Sequence, residues 1–222
     1  PYTAPQLKAD EVYTKLIAEL EEIINSNVLP MEWPSSQCGR VSQAMAYMMY
    51  AEIVMYQKDT SRYPKALEFM QKIIGDKNYG LMDNYADIWK ESGEWCKESI
   101  WEINYDDNNN ERGWGSPLAI GGTVMPTLIS PNGFHYLKDF GLDGDGWGFM
   151  PLRLETYNMY DGVDKRRAAT CWDVRGTTYT NRYQDTHIWL AKYIAQNVNN
   201  ADAGFDANLN YNNNLRVYRF SE

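Results

Sequence analysis

Residues 39–57 read GRVSQAMAYMMYAEIVMYQ, and residues 58–75 follow as KDTSRYPKALEFMQKIIG. Both segments are apolar at helical spacing, and this doublet sets the scaffold. In the first, Val41, Ala44, Met45, Met48, Met49, Ala51, Ile53, Met55 and Tyr56 cover most of the circumference at about 100° per residue. Only a narrow strip around Ser42, Gln43, Ala46, Tyr50 and Gln57 reads as wet. A helix apolar nearly all round is buried on several sides. It is too short and too interrupted for a membrane span, which takes about 20 apolar residues. The Met residues are read as packing, because Met fills irregular gaps between close helices. In the second segment Ser61 reads as the N-cap and Pro64 falls in the first turn, where proline is tolerated. Tyr63, Ala66, Leu67, Met70, Ile73 and Ile74 form the expected buried face, and Gly75 ends the helix. So short a connection predicts an antiparallel pair.

Small Ala residues at the contact, followed by Tyr-x-x-Ala-Leu, resemble a tetratricopeptide-type helix pair. Glu52 falls inside the apolar arc, and a buried carboxylate must be paired or neutral. Arg40, Arg216 or Arg219 is its expected partner. Upstream, residues 9–25 form an amphipathic helix with Asp10 as N-cap and Val12, Leu16, Leu20 and Ile23/Ile24 on its apolar side. Glu19, Glu21 and Glu22 face outward. Downstream the periodicity fades. Residues 98–105 alternate and read as one strand. Residues 106–151 are rich in Gly, Pro, Asn and Trp, and their aromatic content argues against disorder. Residues 151–162, PLRLETYNMYDG, return to helix, closed by Asp161-Gly162. DKRRAATCWDV begins as a helical turn and passes into a strand. Residues 175–214 carry no placeable pattern. The whole, residues 1–222, is read as one domain fragment. It comprises a helical scaffold (9–82), the strand (98–105), a loop-rich ligand-binding region (106–151) and a helix plus irregular polar stretch (152–222).

A net charge of −9 with no run of basic residues excludes a nucleic-acid partner; the densest cluster is Lys165-Arg166-Arg167, expected to pair with Asp161 and Asp164. Cys38, Cys96 and Cys171 are far apart and show no C-x-x-C spacing, so they read as buried thiols. His135 and His187 have no metal-ligand partner at helical spacing, and G-x-S-x-G, H-E-x-x-H and the P-loop are absent. No enzyme and no cofactor are therefore expected, although scattered carboxylates leave a glycosidase pair as a competing class. In LDGDGWG (142–148), Asp143 and Asp145 resemble the first half of a calcium loop, but the later ligands and closing Glu are missing. The segment reads instead as a tight glycine turn that presents Trp147.

The aromatics carry the binding reading. The chain has 17 Tyr and 8 Trp. Sugars offer C–H faces that stack on flat rings, and hydroxyls that need amide, carboxylate or guanidinium partners. Trp114, Phe134, Tyr136, Trp147 and Trp172 lie in the irregular zone beside Asn132, Asp145 and Arg153. Loop aromatics on a rigid helical scaffold suit a shallow glycan site. The competing reading for any one ring is packing of loops onto helices. For the set, at least one exposed ring is expected.

In order along the chain come Leu29-Pro30, Gly39-Arg40-Val41-Ser42, Tyr63-Pro64-Lys65-Ala66, Ile73-Ile74, Asn78-Tyr79-Gly80-Leu81 and Asn84-Tyr85-Ala86-Asp87-Ile88-Trp89. Glu98-Ser99-Ile100-Trp101-Glu102-Ile103, Asp164-Lys165-Arg166-Arg167 and Arg216-Val217-Tyr218-Arg219-Phe220 follow. This ordered set resembles the SusD/RagB family of Bacteroidetes outer-membrane nutrient-binding lipoproteins. Members are more than twice this long, so the chain reads as the middle section of one. The resemblance implies a mainly α, tetratricopeptide-like scaffold with loops that bind an oligosaccharide. It also implies lipid anchoring from outside this segment and delivery to a SusC-like TonB-dependent transporter. A RagB-like peptide binder and a tetratricopeptide protein-interaction module are the alternatives.

Overall fold

The computed structural model describes residues 5–106, 122–131, 146–177, 179, 181–194 and 211–222. It divides into two compact units. The first comprises residues 1–81, 97–102 and 216–222, and the second residues 82–96 and 103–215.

The first unit is built on three helices, α1 (Ala9–Ser26), α2 (Gln43–Gln57) and α3 (Tyr63–Ile74). α2 begins where expected because the Ser42 side chain accepts the Met45 N–H at 3.1 Å, satisfying one of the orphan donors of the first turn. It ends at Lys58, which takes a left-handed conformation (φ 57°) and closes the last turn with its N–H. α2 packs against both α1 and α3. Phe69 of α3 is the centre of the α2–α3 contact. Its ring stacks on Tyr47 (centroids 4.4 Å apart) and meets Tyr50 edge-on at 5.1 Å. Strand β1 (Ser99–Ile103) pairs with β4 (Leu215–Arg219), and Ile100 and Tyr218 join the helical core. Between these strands Arg216 meets Glu102 at 3.6 Å, with both side chains almost fully buried, and Arg219 meets Glu98 at 3.2 Å.

Several local expectations are corrected. α1 starts one residue before Asp10. Lys8 is the N-cap, and its N–H donates to Glu11 Oε2 at 2.8 Å, so Asp10 sits in the first turn. α1 buries Ile17, Leu20 and Ile24, leaving Val12, Leu16 and Ile23 exposed. Ser61 does not cap α3; its hydroxyl donates to Asp59, and Arg62 holds the N-cap position. Leu67 and Ile74 are exposed, and the buried face of α3 is Ala66, Phe69 and Ile73. Of the wet strip assigned to α2, Gln57 is exposed as expected but the rest is buried. Ser42, Gln43, Ala46 and Tyr50 face the core, while Met55 and Tyr56 face water, Tyr56 being 87% exposed. The reason is that α2 is so uniformly apolar that periodicity could not orient it. Tyr50 tolerates burial because its hydroxyl donates to Glu21 at 3.1 Å; burial, then Glu21, pushes its ionisation up to about 12. Glu52 sits on the exposed side, and its donor partner is the Tyr218 hydroxyl rather than an arginine. Arg40 lies over the Trp33 ring instead.

The second unit has short elements: α4 (Met125–Ile129), α5 (Leu154–Asn158), α6 (Lys165–Thr170), β2 (Cys171–Asp173) and β3 (Ile188–Leu190). The helical turn at 165–170 passes directly into β2, as the sequence predicts. Asp164 caps α6 by accepting the Arg166 N–H at 2.9 Å. β2 and β3 pair antiparallel with Trp172 opposite Trp189. Ile129, Val174, Trp189 and Ile194 form the centre of this unit. Cys171 is buried, Cys38 and Cys96 are half-buried rather than buried, and none of the three forms a disulfide among the described residues.

Candidate functional site

The site grows out of a stretch that has almost no regular structure yet is held tightly. Residues 146–149 run alongside 127–131 through four backbone bonds. Gly146, Trp147, Gly148 and Phe149 donate to Pro131, Thr127, Ser130 and Leu128 at 3.1, 2.7, 2.8 and 2.9 Å. The glycines are there for space and conformation. A Cβ on Gly146 would lie 2.0 Å from the Ser130 carbonyl oxygen, and Gly148 adopts φ 67°. The chain then reaches β3. Pro151 bridges to Trp189, Leu152 N–H donates to the Ile188 carbonyl at 2.7 Å, and the Thr186 hydroxyl donates to the Leu152 carbonyl. A loop tied at this many points is rigid without being helical.

This tying opens a cleft of about 660 Å3. Its lining includes Phe149, Arg153 and Glu155 from one stretch of chain and Tyr183, Gln184 and Thr186 from another. Two rings stand in solvent, Tyr183 at 88% exposure and Phe149 at 56%. The Arg182 guanidinium lies over the Phe149 ring, 5.7 Å from its centroid, and Trp147 meets the same ring edge-on at 5.8 Å. Arg153 stands 3.4 Å from Glu155, both well exposed. The arrangement supplies flat apolar faces, guanidinium donors, an amide and one carboxylate around an open space. That set can stack on sugar rings and bond their hydroxyls. Among the described lining residues Glu155 is the single carboxylate. Acid–base cleavage of a glycosidic bond by the usual route uses two carboxylates facing each other at about 5–9 Å.

Of the residues singled out from sequence, Arg153 lines this cleft and Trp147 stands half-buried directly behind Phe149. Trp172 is elsewhere: half-buried in β2, it packs onto the cluster around Trp189. Trp114, Asn132, Phe134, Tyr136, Asp143 and Asp145 lie outside the described residues. Phe149 and Tyr183 were not among the sequence candidates. Phe149 could have been found as the ring two residues beyond Trp147. Tyr183 is the aromatic in an otherwise polar stretch, NRYQD, whose Asn and Asp favour turns.

The basic cluster is accounted for locally. Arg166 pairs with Asp164 at 2.6 Å, and this guanidinium holds the Asp164 carboxyl below its ordinary value. Arg167 lies over the Tyr157 ring at 5.3 Å, with Arg175 also against it at 5.3 Å. Arg175 also pairs with Asp173 and lowers its pKa to about 2. Asp161 serves the turn, accepting the Val163 N–H at 3.1 Å, and does not pair with the cluster.

No protein-family model and no curated protein matches the chain. Solved structures do. Surface glycan-binding protein A from Bacteroides uniformis is 53% identical, with a TM-score of 0.83 over 99% of this chain. Surface glycan-binding protein A from Bacteroides thetaiotaomicron, in complex with laminarihexaose, is 49% identical with a TM-score of 0.89 over the full chain. A laminarin-binding SusD-like protein is 26% identical with a TM-score of 0.79. Over nearly its whole length the chain is similar to these SusD-like surface glycan-binding proteins, and its helical unit matches their tetratricopeptide-like scaffold. It spans about half their length, 44–50% of each matched chain. These relatives are named for binding, not for catalysis, which agrees with the sequence reading. Among the described residues, no helix is long and apolar enough to cross a membrane.

Proposed function

We propose that this chain is the part of a cell-surface, non-catalytic protein that binds a laminari-type oligosaccharide in the cleft beside Phe149 and Tyr183. The observation that carries this reading is the pair of solvent-exposed rings flanked by Arg153, Arg182 and Gln184. Rings held this open in water are disposed to accept the C–H faces of a sugar. The relative solved in complex with laminarihexaose supports the ligand class. In the intact protein, a lipid anchor outside this segment holds it on the outer face of the outer membrane. The bound glycan then passes to a SusC-like TonB-dependent transporter.

Isothermal titration of the intact protein against laminarihexaose, cellohexaose and maltohexaose tests the binding reading. Binding of laminarihexaose, with about a tenfold loss (about 1.4 kcal/mol) in Tyr183→Ala and in Phe149→Ala, is the expected result. Wild-type affinity in both variants would move the site away from this cleft. Silence of the intact protein toward every glycan would end the glycan reading. Co-purification with a SusC-like transporter tests the delivery step, and its absence from gently solubilised membranes would count against it.

A further inference from the structure

Tyr183 is 88% exposed, and among the described residues its hydroxyl is met by the Gln184 amide at 3.5 Å. Its position is therefore set by the backbone that carries it. That backbone is unusual. Gln184 and His187 both occupy the left-handed region (φ 58° and 59°), which non-glycine residues hold only where the surroundings over-determine them. One side chain supplies much of that determination. Asp185 Oδ1 accepts the Tyr179 hydroxyl at 2.7 Å and the His187 N–H at 2.8 Å, while Oδ2 accepts the Arg182 N–H at 3.2 Å. The Asp185 N–H in turn donates to the Arg182 carbonyl at 3.1 Å. Tyr179 is anchored from below, because its hydroxyl accepts the indole N–H of the buried Trp189 at 3.1 Å.

We infer that Asp185 is a positioning residue: it braces the 182–184 lip against the core, so that Tyr183 and Arg182 meet the glycan already in place. This inference rests on the reading of the cleft as a glycan site. Asp185 itself points into the turn and lines no part of the cleft. Its action is to remove the ordering cost that a free lip would impose on binding. Three donors converge on this one carboxylate, and an amide in its place keeps only one oxygen. The Oδ1 bonds to Tyr179 and His187 survive in an asparagine, whereas the Arg182 N–H loses its acceptor.

The test is a mutant cycle read by laminarihexaose titration of the intact protein, paired with amide hydrogen exchange. Asp185→Ala is expected to weaken binding about tenfold, and Asp185→Asn about threefold. In a protein already stripped of the lip, R182A/Y183A, adding Asp185→Ala is expected to change affinity less than twofold, because nothing is left to position. Asp185→Ala is also expected to speed exchange of the Arg182 and His187 amides selectively. Wild-type affinity in Asp185→Ala overturns the inference. So does an equal loss in the stripped background, which would show a general effect on folding. If the wild-type protein binds no glycan at all, the reading of the cleft fails and the functional part of the inference falls with it. Exchange then decides the brace separately: faster exchange at 182 and 187 supports it, and unchanged exchange overturns it.

Discussion

The two units reach rigidity by different means. The first buries side chains: α1, α2 and α3 converge on Phe69, Tyr47 and Tyr50, and the helices satisfy their own backbones. The second has helices of five or six residues and is held instead by cross-bonds from backbone to backbone, Gly146 to Pro131, Phe149 to Leu128 and Leu152 to Ile188. The difference explains where a binding surface can arise. A helix pair that spends its rings on its own core has few to present. A bonded loop can hold its backbone still and turn rings outward, as it does with Phe149 and Tyr183.

Substitutions can break this contrast. The largest expected effect is Phe69→Ala, which empties the centre of the α2–α3 contact and costs about 3–5 kcal/mol by the usual penalty for a buried aromatic. Urea denaturation measures the loss, and hydrogen exchange places it in α2 and α3. A loss below about 1 kcal/mol would mean that the helices do not depend on this ring. Gly146→Ala comes next at about 1–3 kcal/mol, the cost of overpacking, because the new Cβ would lie against the Ser130 carbonyl and displace the loop. Its signature is weaker laminarihexaose binding together with lower stability, which separates it from Phe69→Ala.

A smaller effect follows from Asp173. Its pKa is depressed to about 2 by Arg175, so its contribution to stability is complete above the ordinary carboxylate range and is lost as pH falls through about 2. Asp173→Asn is expected to flatten the acid limb of stability between about pH 4 and pH 2 by lowering neutral stability toward the value the wild type reaches in acid. An identical acid limb in the variant would assign that loss to other groups. The smallest effect on stability is Tyr183→Ala, within about 0.5 kcal/mol as for other surface sites, although it is the variant expected to impair binding. A marked fall in its urea midpoint would show that this ring packs rather than presents.

The same contrast governs what could be read in advance. Helix existence was legible from spacing, because Ser42, Pro64 and Gly75 punctuate long periodic runs. Helix orientation was not. α2 is apolar on nearly every side, so the choice between burying Tyr50 and burying Tyr56 fell to partners such as Glu21 and Phe69 that no local pattern reveals. Glu52 likewise found Tyr218 at a separation of 166 residues. At the site, the close backbone approach at Gly146 was legible because glycine announces it, but residues 146–149 run alongside 127–131 rather than turning tightly, and Trp147 is half-buried rather than presented. Tyr183 was not legible, because its place depends on Asp185 and on two left-handed residues, Gln184 and His187, whose side chains do not advertise that conformation.

The division of the chain also has a consequence in time. Residues 103–215 are spelled out between the strands that complete the first unit, so β1 emerges from the ribosome long before its partner β4. At about 5–20 residues per second, that interval is on the order of ten seconds. Throughout it, the carboxylates of Glu98 and Glu102 exist without Arg219 and Arg216. The helical unit therefore stays part-built while residues 103–215, the bulk of the second unit, are synthesised and have time to fold. Residues 216–222 then complete it.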